Sequence, residues 1–146
     1  MLINILITIA VFAFMEFVAW FAHKYIMHGL LWVLHKDHHQ VTGHLFQKND
    51  FFFVIFAVPS MALFFLGSFT SHTWGLFAGL GILFYGMAYF FVHDIIIHQR
   101  IKWFRYTKNP YFVALRKAHK VHHKHLNKED GECFGMLVVP FKYFRV

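Results

Sequence analysis

The amino-acid sequence predicts an all-α membrane protein with about three to four transmembrane helices and a histidine-rich cap on its cytoplasmic side. The first reason is composition, because hydrophobic residues make up 58% of the chain and charged residues only 14%, whereas soluble domains carry about 25% charged residues. The second reason is a set of long apolar segments, and the third is the grouping of histidines beside their ends. Aromatic residues reach 21%, which excludes a disordered chain.

Three apolar segments are long enough to cross a bilayer, since a helix needs about 20 apolar residues to span a hydrocarbon core of about 30 Å. They cover residues 1–22, 51–69 and 74–92. The short connection between the last two predicts a tight hairpin. The tail from Cys133 is too short to span by itself and is expected to pack back on the membrane face. A fourth crossing, formed by the tail together with another segment, stays an alternative. No linker divides the chain, so residues 1–146 are expected to form a single integral-membrane domain.

The distribution of positive charge predicts the orientation in the membrane. All 14 lysines and arginines lie in residues 23–50 or 98–146. Because positively charged loops stay in the cytoplasm, we expect the N-terminus and the hairpin tip outside and both basic regions inside. The net charge of +7 then follows from topology, and no basic groove is left for nucleic acid. The single cysteine excludes an internal disulfide.

Ten of the 13 histidines fall into four groups with two repeated spacings. The spacing HX4H occurs in "HKYIMH" and "HDIIIH", and HX2HH occurs in "HKDHH" and "HKVHH". In the predicted orientation all four groups lie on the cytoplasmic side, where they can converge just below the bilayer. The ten histidines of these boxes are His23, His28, His35, His38, His39, His93, His98, His119, His122 and His123.

Helical geometry gives the two spacings different meanings. On an α-helix, residues i, i+3 and i+4 share one face, so HX2HH is expected to aim three imidazoles at one small volume. Residues i and i+5 lie about 140° apart, so HX4H needs a helix end, a wide turn or two neighbouring metals. The last box is predicted to lie on a helix that begins with Pro110 in its first turn and ends at "DGE", residues 130–132.

The number of imidazoles predicts more than one metal ion. Imidazole suits zinc, copper, iron and nickel, and ten imidazoles exceed the four ligands of a structural zinc ion. We therefore predict that the ten histidines are metal ligands and catalytic residues that share two ions with open positions for oxygen or water. A haem would need paired axial histidines inside helices, and a zinc protease of the HExxH type would need a motif that the sequence lacks.

The amino-acid sequence around the histidines is similar to the sequences of one known family. The stretches "MEFVAWFAHKYIMHG", "LHKDHH", "KNDFF", "YGMAYFFVHDIIIHQR", "AHKVHHKH" and "CFGMLVVP" resemble, in the same order, those of the membrane fatty-acid hydroxylase and sterol desaturase superfamily. The histidine boxes carry the resemblance to the superfamily. The surrounding residues resemble its carotenoid branch, the bacterial β-carotene hydroxylases, over nearly the whole chain.

The resemblance implies a reaction, cofactors and partners. The reaction is hydroxylation at carbon 3 of the β-ionone rings of β-carotene, which gives β-cryptoxanthin and then zeaxanthin. Two iron ions held by the ten box histidines would be the cofactor, with zinc as a substitute in a purified sample, and O2 would be the co-substrate. A reduced ferredoxin-type protein would supply electrons, attracted by the basic residues 100–128. The carotenoid would enter from the lipid phase of the bacterial inner membrane.

Two other functions fit the same histidine boxes. The nearest alternative is a hydroxylase or desaturase that acts on another lipid, a fatty acid or a sterol. An alternative of another class is a non-enzymatic membrane protein that binds or transports metal. Product analysis separates the first from carotenoid hydroxylation, and O2-dependent turnover separates the second.

Three carboxylates near the boxes have predicted roles. Asp94 follows His93 and Asp37 precedes His38, so either could accept a proton from the far nitrogen of a ligating histidine and fix its orientation. Glu16 is the only charged residue within a predicted span. Since charge inside a membrane is costly and usually functional, Glu16 is expected to contact a ligating histidine, the substrate channel or a hydrogen-bond partner in the bundle.

Three histidines lie outside the boxes. His72 falls at the hairpin tip, on the opposite side of the membrane from the predicted metals. His125 follows a ligand pair by two residues and is expected to face solvent, and His44 is interpreted in the same way. None of the three is predicted to bind a metal.

Overall fold

Five α-helices form the framework of the protein, and the computed structural model describes residues 1–40 and 46–145. No strand occurs in these described ranges, which confirms the predicted all-α fold. His44 lies outside them, so its predicted exposure stays untested. The helices are α1 (Leu2–Phe21), α2 (Trp32–His39), α3 (Phe51–Phe69), α4 (Trp74–Phe90) and α5 (Pro110–Lys124).

Three continuous helical stretches are long and apolar enough to cross a membrane, namely Leu2–Leu30, Lys48–Phe69 and Trp74–Ile97. They contain the predicted spans 51–69 and 74–92 and all but the first residue of the predicted span 1–22, and they identify the protein as an integral membrane protein. Their outer faces carry exposed large apolar side chains such as Phe14 and Val58, each 59% exposed. In water such a surface would aggregate, whereas in a bilayer it is the normal lipid contact.

Glycines let the three membrane helices approach closely. A Cβ at Gly67 would lie 2.3 Å from the backbone nitrogen of Leu76, so α3 and α4 touch through their backbones at the hairpin. A Cβ at Gly81 would lie 2.8 Å from the carbonyl oxygen of Thr8, which brings α1 onto α4. Close packing through small residues is the usual means of association between helices in lipid.

Both HX4H boxes lie in π-helical segments that continue a membrane helix. Ala22–Leu30 follows α1 and Phe91–Ile97 follows α4. A π-helix closes its turn with hydrogen bonds between residues i and i+5, and the backbone N–H of His98 donates to the carbonyl of His93 over 2.9 Å. The wider turn brings residues five apart onto one face. It is the wide turn that the HX4H spacing requires.

Helix α5 and the tail close the histidine-rich end of the bundle. The Asn109 side chain caps α5 by accepting hydrogen bonds from the first-turn N–H groups, and Pro110 occupies the first turn as predicted. The helix ends at Lys124, several residues before the predicted stop at "DGE". Beyond the helix the chain turns and brings the Leu126 carbonyl to within 2.9 Å of His28 Nδ1. The tail then packs back, burying Met136 beside Leu115.

Candidate metal centre

The structure brings the ten box histidines together at one end of the three membrane helices. Their rings contact each other across all four boxes, and several are almost completely buried, with His35 and His93 1% exposed and His122 0%. His72 is exposed at the hairpin tip and His125 is exposed beyond α5. The four distant boxes therefore converge, and the two described histidines outside them do not join the group.

Nine of these histidines form two groups in which the ligand nitrogens all lie within 4.8 Å of one another. We call them the first cluster and the second cluster. The first cluster contains His23, His28, His35, His39 and His122, and the second contains His38, His93, His98 and His119.

His123 is the tenth histidine and adjoins the second cluster. Its Nε2 atom lies 2.8 Å from Nε2 of His119, and its ring stacks on His39 of the first cluster with centroids 4.3 Å apart. With His123 counted in the second cluster, each cluster has five imidazoles. The stacked pair places the two clusters side by side.

The two clusters have the same plan. Each takes both histidines of one HX4H box, the i and i+4 histidines of one HX2HH box, and the middle histidine of the other HX2HH box. His38 thus lies in the second cluster, whereas the other two histidines of its box lie in the first. His122 lies in the first cluster, whereas the other two histidines of its box lie in the second. The expectation that one HX2HH box serves one small volume is therefore not what the geometry gives, because i and i+3 on these helices point to neighbouring sites.

Most imidazoles are oriented by an oxygen that accepts a hydrogen bond from Nδ1. Such an acceptor requires the proton of a neutral ring on Nδ1 and leaves a lone pair on Nε2. In the first cluster the acceptors are the carbonyls of Phe134 for His23 (3.0 Å), Leu126 for His28 (2.9 Å) and Glu132 for His122 (3.1 Å), and Asn49 Oδ1 for His35 (2.6 Å). In the second they are Gln47 Oε1 for His38 (3.2 Å) and Asp94 Oδ2 for His93 (3.2 Å).

The Nε2 atom of each of the ten histidines lies close to the Nε2 atom of at least one other. The separations run from 2.8 to 3.2 Å, with three such contacts in each cluster. In the pair of His38 and His93 both rings carry the proton on Nδ1, so two lone pairs point at each other with no hydrogen between them. A shared cation removes this repulsion, and nitrogens about 2.1 Å from one ion and about 90° apart lie about 3.0 Å from each other. The clusters therefore fit a metal ion each.

Burial keeps the imidazoles neutral, which is the form that binds metal. Burial first, and then the neighbouring imidazoles, lower the pKa of His122 to about 2. Burial lowers the pKa of His35 to about 3, against the hydrogen bond that the ring donates to Asn49 Oδ1, which acts to raise it. His123 is lowered to a pKa of about 4, mainly by burial. Burial also depresses the pKa of His98 strongly. A site built from so many uncharged imidazoles carries no charge of its own to offset a cation.

The two predicted orienting carboxylates have different contacts. Asp94 is buried beside His93 and also lies 3.0 Å from the guanidinium of Arg100. Asp37 accepts a hydrogen bond from the backbone N–H of Lys48 over 2.6 Å, which joins α2 to the start of the second membrane stretch. The contact of Asp94 with His93 supports its predicted role in orienting that histidine. The contact of Asp37 instead indicates that it stabilises the connection between two helical segments.

Several groups that orient the imidazoles were not predicted from the sequence. Asn49 and Gln47 hold His35 and His38, and Arg100 ties Gln47 to Asp50 through bonds of 2.9 to 3.2 Å. The conspicuous polar triplet "KND" ahead of a membrane span was the available signal for Asn49. The three backbone carbonyls carry no sequence signal, since any residue supplies one.

An apolar cavity of about 670 Å³ leads from the lipid-facing surface to the histidines. Its wall includes Met61 and Met87, which are 55% and 60% exposed on the outer surface. Its inner end includes His23, Asn49 and Tyr89, and the Tyr89 ring stacks on His93 at 5.0 Å. The cavity therefore reaches the first cluster at His23, and Tyr89 separates it from His93 of the second cluster.

Comparison with known proteins places these features in a family. The sequence pattern of the fatty acid hydroxylase family matches residues 8–142. No solved structure matches the chain.

Three relatives show how far the similarity extends. The chain is 42% identical to a β-carotene hydroxylase of Pantoea ananas over 94% of this chain and 78% of the relative. It is 39% identical to a β-carotene hydroxylase of Paracoccus sp. (strain PC1), over 92% and 83%. It is also 39% identical to the chloroplastic β-carotene hydroxylase 1 of Capsicum annuum, over 86% of this chain and 40% of that longer protein. The chain therefore belongs to the fatty acid hydroxylase family, and within that family it groups with the β-carotene hydroxylases.

Proposed function

We propose that this protein is a β-carotene 3-hydroxylase that converts β-carotene to β-cryptoxanthin and then to zeaxanthin. The observation that carries the proposal is the apolar cavity that runs from the lipid to His23, in the first of two adjoining clusters of imidazoles. The names of the similar proteins agree with it, since each is a β-carotene hydroxylase.

The proposed cofactor is a pair of iron ions, one in each cluster, with O2 as co-substrate. Iron held there would activate O2, so that with two electrons from the donor and two protons one oxygen atom enters an unactivated ring C–H bond and the other leaves as water. All ten box histidines are proposed ligands, five to each ion, with His123 completing the second set. Zinc also suits imidazole ligands, so zinc in a purified sample would be a substitute.

The protein's own groups set the conditions at the site. The oxygens of Phe134, Asn49 and Asp94 hold ring protons on Nδ1 and direct the Nε2 lone pairs inward. The apolar residues around the inner end of the cavity exclude water, which protects a strong oxidant from side reactions. Tyr89 lies between the cavity and His93 and limits how far a ring can enter.

The cavity accounts for the choice of a lipid-soluble substrate. A carotene is about as long as the hydrocarbon core is thick, about 30 Å, so one ring can enter while the rest of the chain stays in lipid. Because the two ends of β-carotene are alike, hydroxylation of the second ring requires the first product to withdraw and the other end to enter. We therefore expect β-cryptoxanthin to appear before zeaxanthin.

The proposed orientation puts the metal centre on the cytoplasmic side of a bacterial inner membrane, with the N-terminus outside. The basic residues support it by the positive-inside rule. A ferredoxin-type donor could then dock on the exposed cations and deliver two electrons for each hydroxylation. Exposed basic side chains near the clusters are Lys102, Arg105, Lys108, Lys117, Lys120 and Lys124.

Expression in cells that make β-carotene tests the proposal. We expect β-cryptoxanthin and zeaxanthin from the wild type, neither from His38→Ala, and wild-type amounts from the matched control His72→Ala, which changes an exposed histidine at the hairpin tip. Products from fatty acids or sterols alone would favour the other lipid hydroxylases. Tight metal binding without any O2-dependent turnover would favour a metal-binding protein.

A further inference from the structure

The tail crosses directly over the first cluster. We call residues 131–139 the strap. Its Phe134 side chain is 2% exposed, and the ring packs on His122 at 4.9 Å. Its carbonyls at Glu132 and Phe134 accept the Nδ1 hydrogen bonds of His122 and His23. The orientation of two first-cluster imidazoles therefore depends on where the strap backbone lies.

Glu16, the intramembrane carboxylate, holds the strap in this position. Its Oε1 atom accepts hydrogen bonds from the backbone N–H groups of Met136 (2.9 Å), Leu137 (2.9 Å) and Val138 (3.1 Å). Its Oε2 atom accepts from the Tyr85 hydroxyl over 2.7 Å. The carboxylate thus satisfies three consecutive strap amides that lie against a membrane helix, where an unpaired N–H is costly.

The helix that carries Glu16 and the strap are complementary in shape where they meet. Glu16 and His23 are seven residues apart, two turns of helix, so both face the strap. On the strap side, a Cβ at Gly135 would lie 2.7 Å from Glu16 Oε1. A larger residue there would have to push the carboxylate out of this position.

The surroundings of Glu16 separate it from the substrate. It lines a smaller cavity under the strap, with Trp20 and Cys133, and is absent from the wall of the cavity that reaches the lipid. Its hydrogen bonds in the described residues go to the strap and Tyr85. Of the roles open at the sequence level, hydrogen bonding within the bundle is the one that the contacts support.

We propose that Glu16 is a positioning residue for the first metal: it latches the strap, and the strap carbonyls of Glu132 and Phe134 turn His122 and His23 toward the ion. The inference rests on the proposed metal centre and is independent of which lipid is hydroxylated. A carboxylate inside the membrane is energetically costly. Here it controls the orientation of two ligands in the first cluster and has no effect on the ligands of the second.

Metal content and amide exchange test the latch in the purified full-length protein. For Glu16→Ala we expect iron binding at the first cluster to weaken about 10- to 100-fold, so that iron per chain falls from two toward one. We also expect the amides of residues 136–138 to exchange hydrogen at least about tenfold faster, measured by mass spectrometry. Glu16→Gln should largely restore both, because its amide oxygen can accept from the strap and its NH2 can donate to the Tyr85 oxygen.

Two further variants keep the test decisive. Thr8→Val removes a hydrogen bond of 3.0 Å between the same helix and Phe77, away from the strap, and should leave both measurements at wild-type values. Gly135→Ala attacks the latch from the strap side and should reproduce the losses even if Glu16→Ala does not fold. Two tightly bound irons in Glu16→Ala, unchanged amide exchange, or equal losses in the Ala and Gln variants would overturn the proposal. A wild type that binds iron but makes no hydroxylated carotenoid would instead overturn the proposed function.

Discussion

The two histidine clusters share one plan but are held by different kinds of groups. In the first cluster three of the four Nδ1 acceptors are backbone carbonyls from the segment that follows α5. In the second cluster the two acceptors are side chains, Gln47 and Asp94, and both contact Arg100. The first cluster is therefore oriented by the path of the chain, and the second by a small network of side chains.

This difference shows how each cluster responds to change. A carbonyl cannot be mutated away, so the three carbonyl acceptors of the first cluster can be disturbed only through groups that move the backbone, such as Glu16. Asp94 and Gln47 can be replaced directly, so the second cluster is sensitive to single substitutions. His23 and Asn49 at the inner end of the cavity belong with the first cluster, so the backbone-held cluster is also the one nearest to the substrate.

The largest expected effect comes from His122, which joins the first cluster although the rest of its box lies in the second. His122→Ala removes the only ligand that α5 gives to the first cluster, and we expect product formation to fall by at least about 100-fold, more than the loss of an orienting partner causes. Iron per chain should fall toward one. His125→Ala is the matched control, because His125 is exposed just beyond the same helix. If His122→Ala retained both irons and full activity, the division of the boxes between clusters would be wrong.

The next largest effect separates two carboxylates that the sequence made equivalent. Asp94→Asn can turn an NH2 group toward His93 Nδ1, which disfavours the tautomer that leaves Nε2 free. We expect iron at the second cluster to bind about 10- to 100-fold more weakly, with the first cluster still filled. Asp37→Asn should leave iron binding unchanged, because Asp37 accepts from the Lys48 backbone. The measurement is iron content after dialysis against a graded chelator, and equal losses in both variants would remove the distinction.

The contrast between the clusters also marks what a sequence can predict. Hydropathy gave the bounds of α1, α3 and α4 to within about two residues, because lipid imposes length and composition directly. The histidine spacings predicted a shared site, and the adjacency of Asp94 to His93 predicted one orienting contact. These features depend on side-chain identity, which a sequence states explicitly.

What escaped prediction depends on backbone geometry. The π-helical turns that align HX4H follow from packing at the ends of α1 and α4, and the sequence offered them only as one option among three. The exchange of His38 and His122 between clusters depends on how α2 and α5 face each other. The carbonyls of Leu126, Glu132 and Phe134 have no residue signature. The role of Glu16 therefore became apparent only when the strap lay beside α1.

A smaller effect is expected from narrowing the cavity near the first cluster. Gly86 lines the cavity, and a Cβ there would meet nothing within 4 Å, so Gly86→Phe can place a ring in the space that admits the substrate. We expect kcat/KM for β-carotene to fall about tenfold, as for a substrate contact worth 1–2 kcal/mol, with iron content unchanged. Phe84→Ala on the lipid-facing side of the same helix is the control. An unaffected Gly86→Phe would place the substrate elsewhere.

The smallest expected effect is the response of iron binding to mild acid. A histidine with the ordinary pKa of about 6.5 would be about 90% protonated at pH 5.5 and would lose about tenfold in metal affinity. The pKa values of His35, His122 and His123 are lowered to about 3, 2 and 4, so all three stay neutral. We therefore expect iron affinity to change little between pH 7.5 and 5.5, measured by chelator competition on metal-free protein that is refilled at each pH.

The same lowered pKa values predict a different response of folding. Below about pH 6.5 the unfolded chain binds protons that the buried imidazoles do not, so the free energy of unfolding of the metal-free protein should fall as the pH falls, by up to about 1.4 kcal/mol per pH unit for each histidine. Denaturant unfolding of the metal-free protein at pH 7.5 and at pH 5.5 measures this fall. An unchanged free energy of unfolding, or loss of iron already at pH 5.5, would mean that the imidazoles are more exposed to water than the structure indicates.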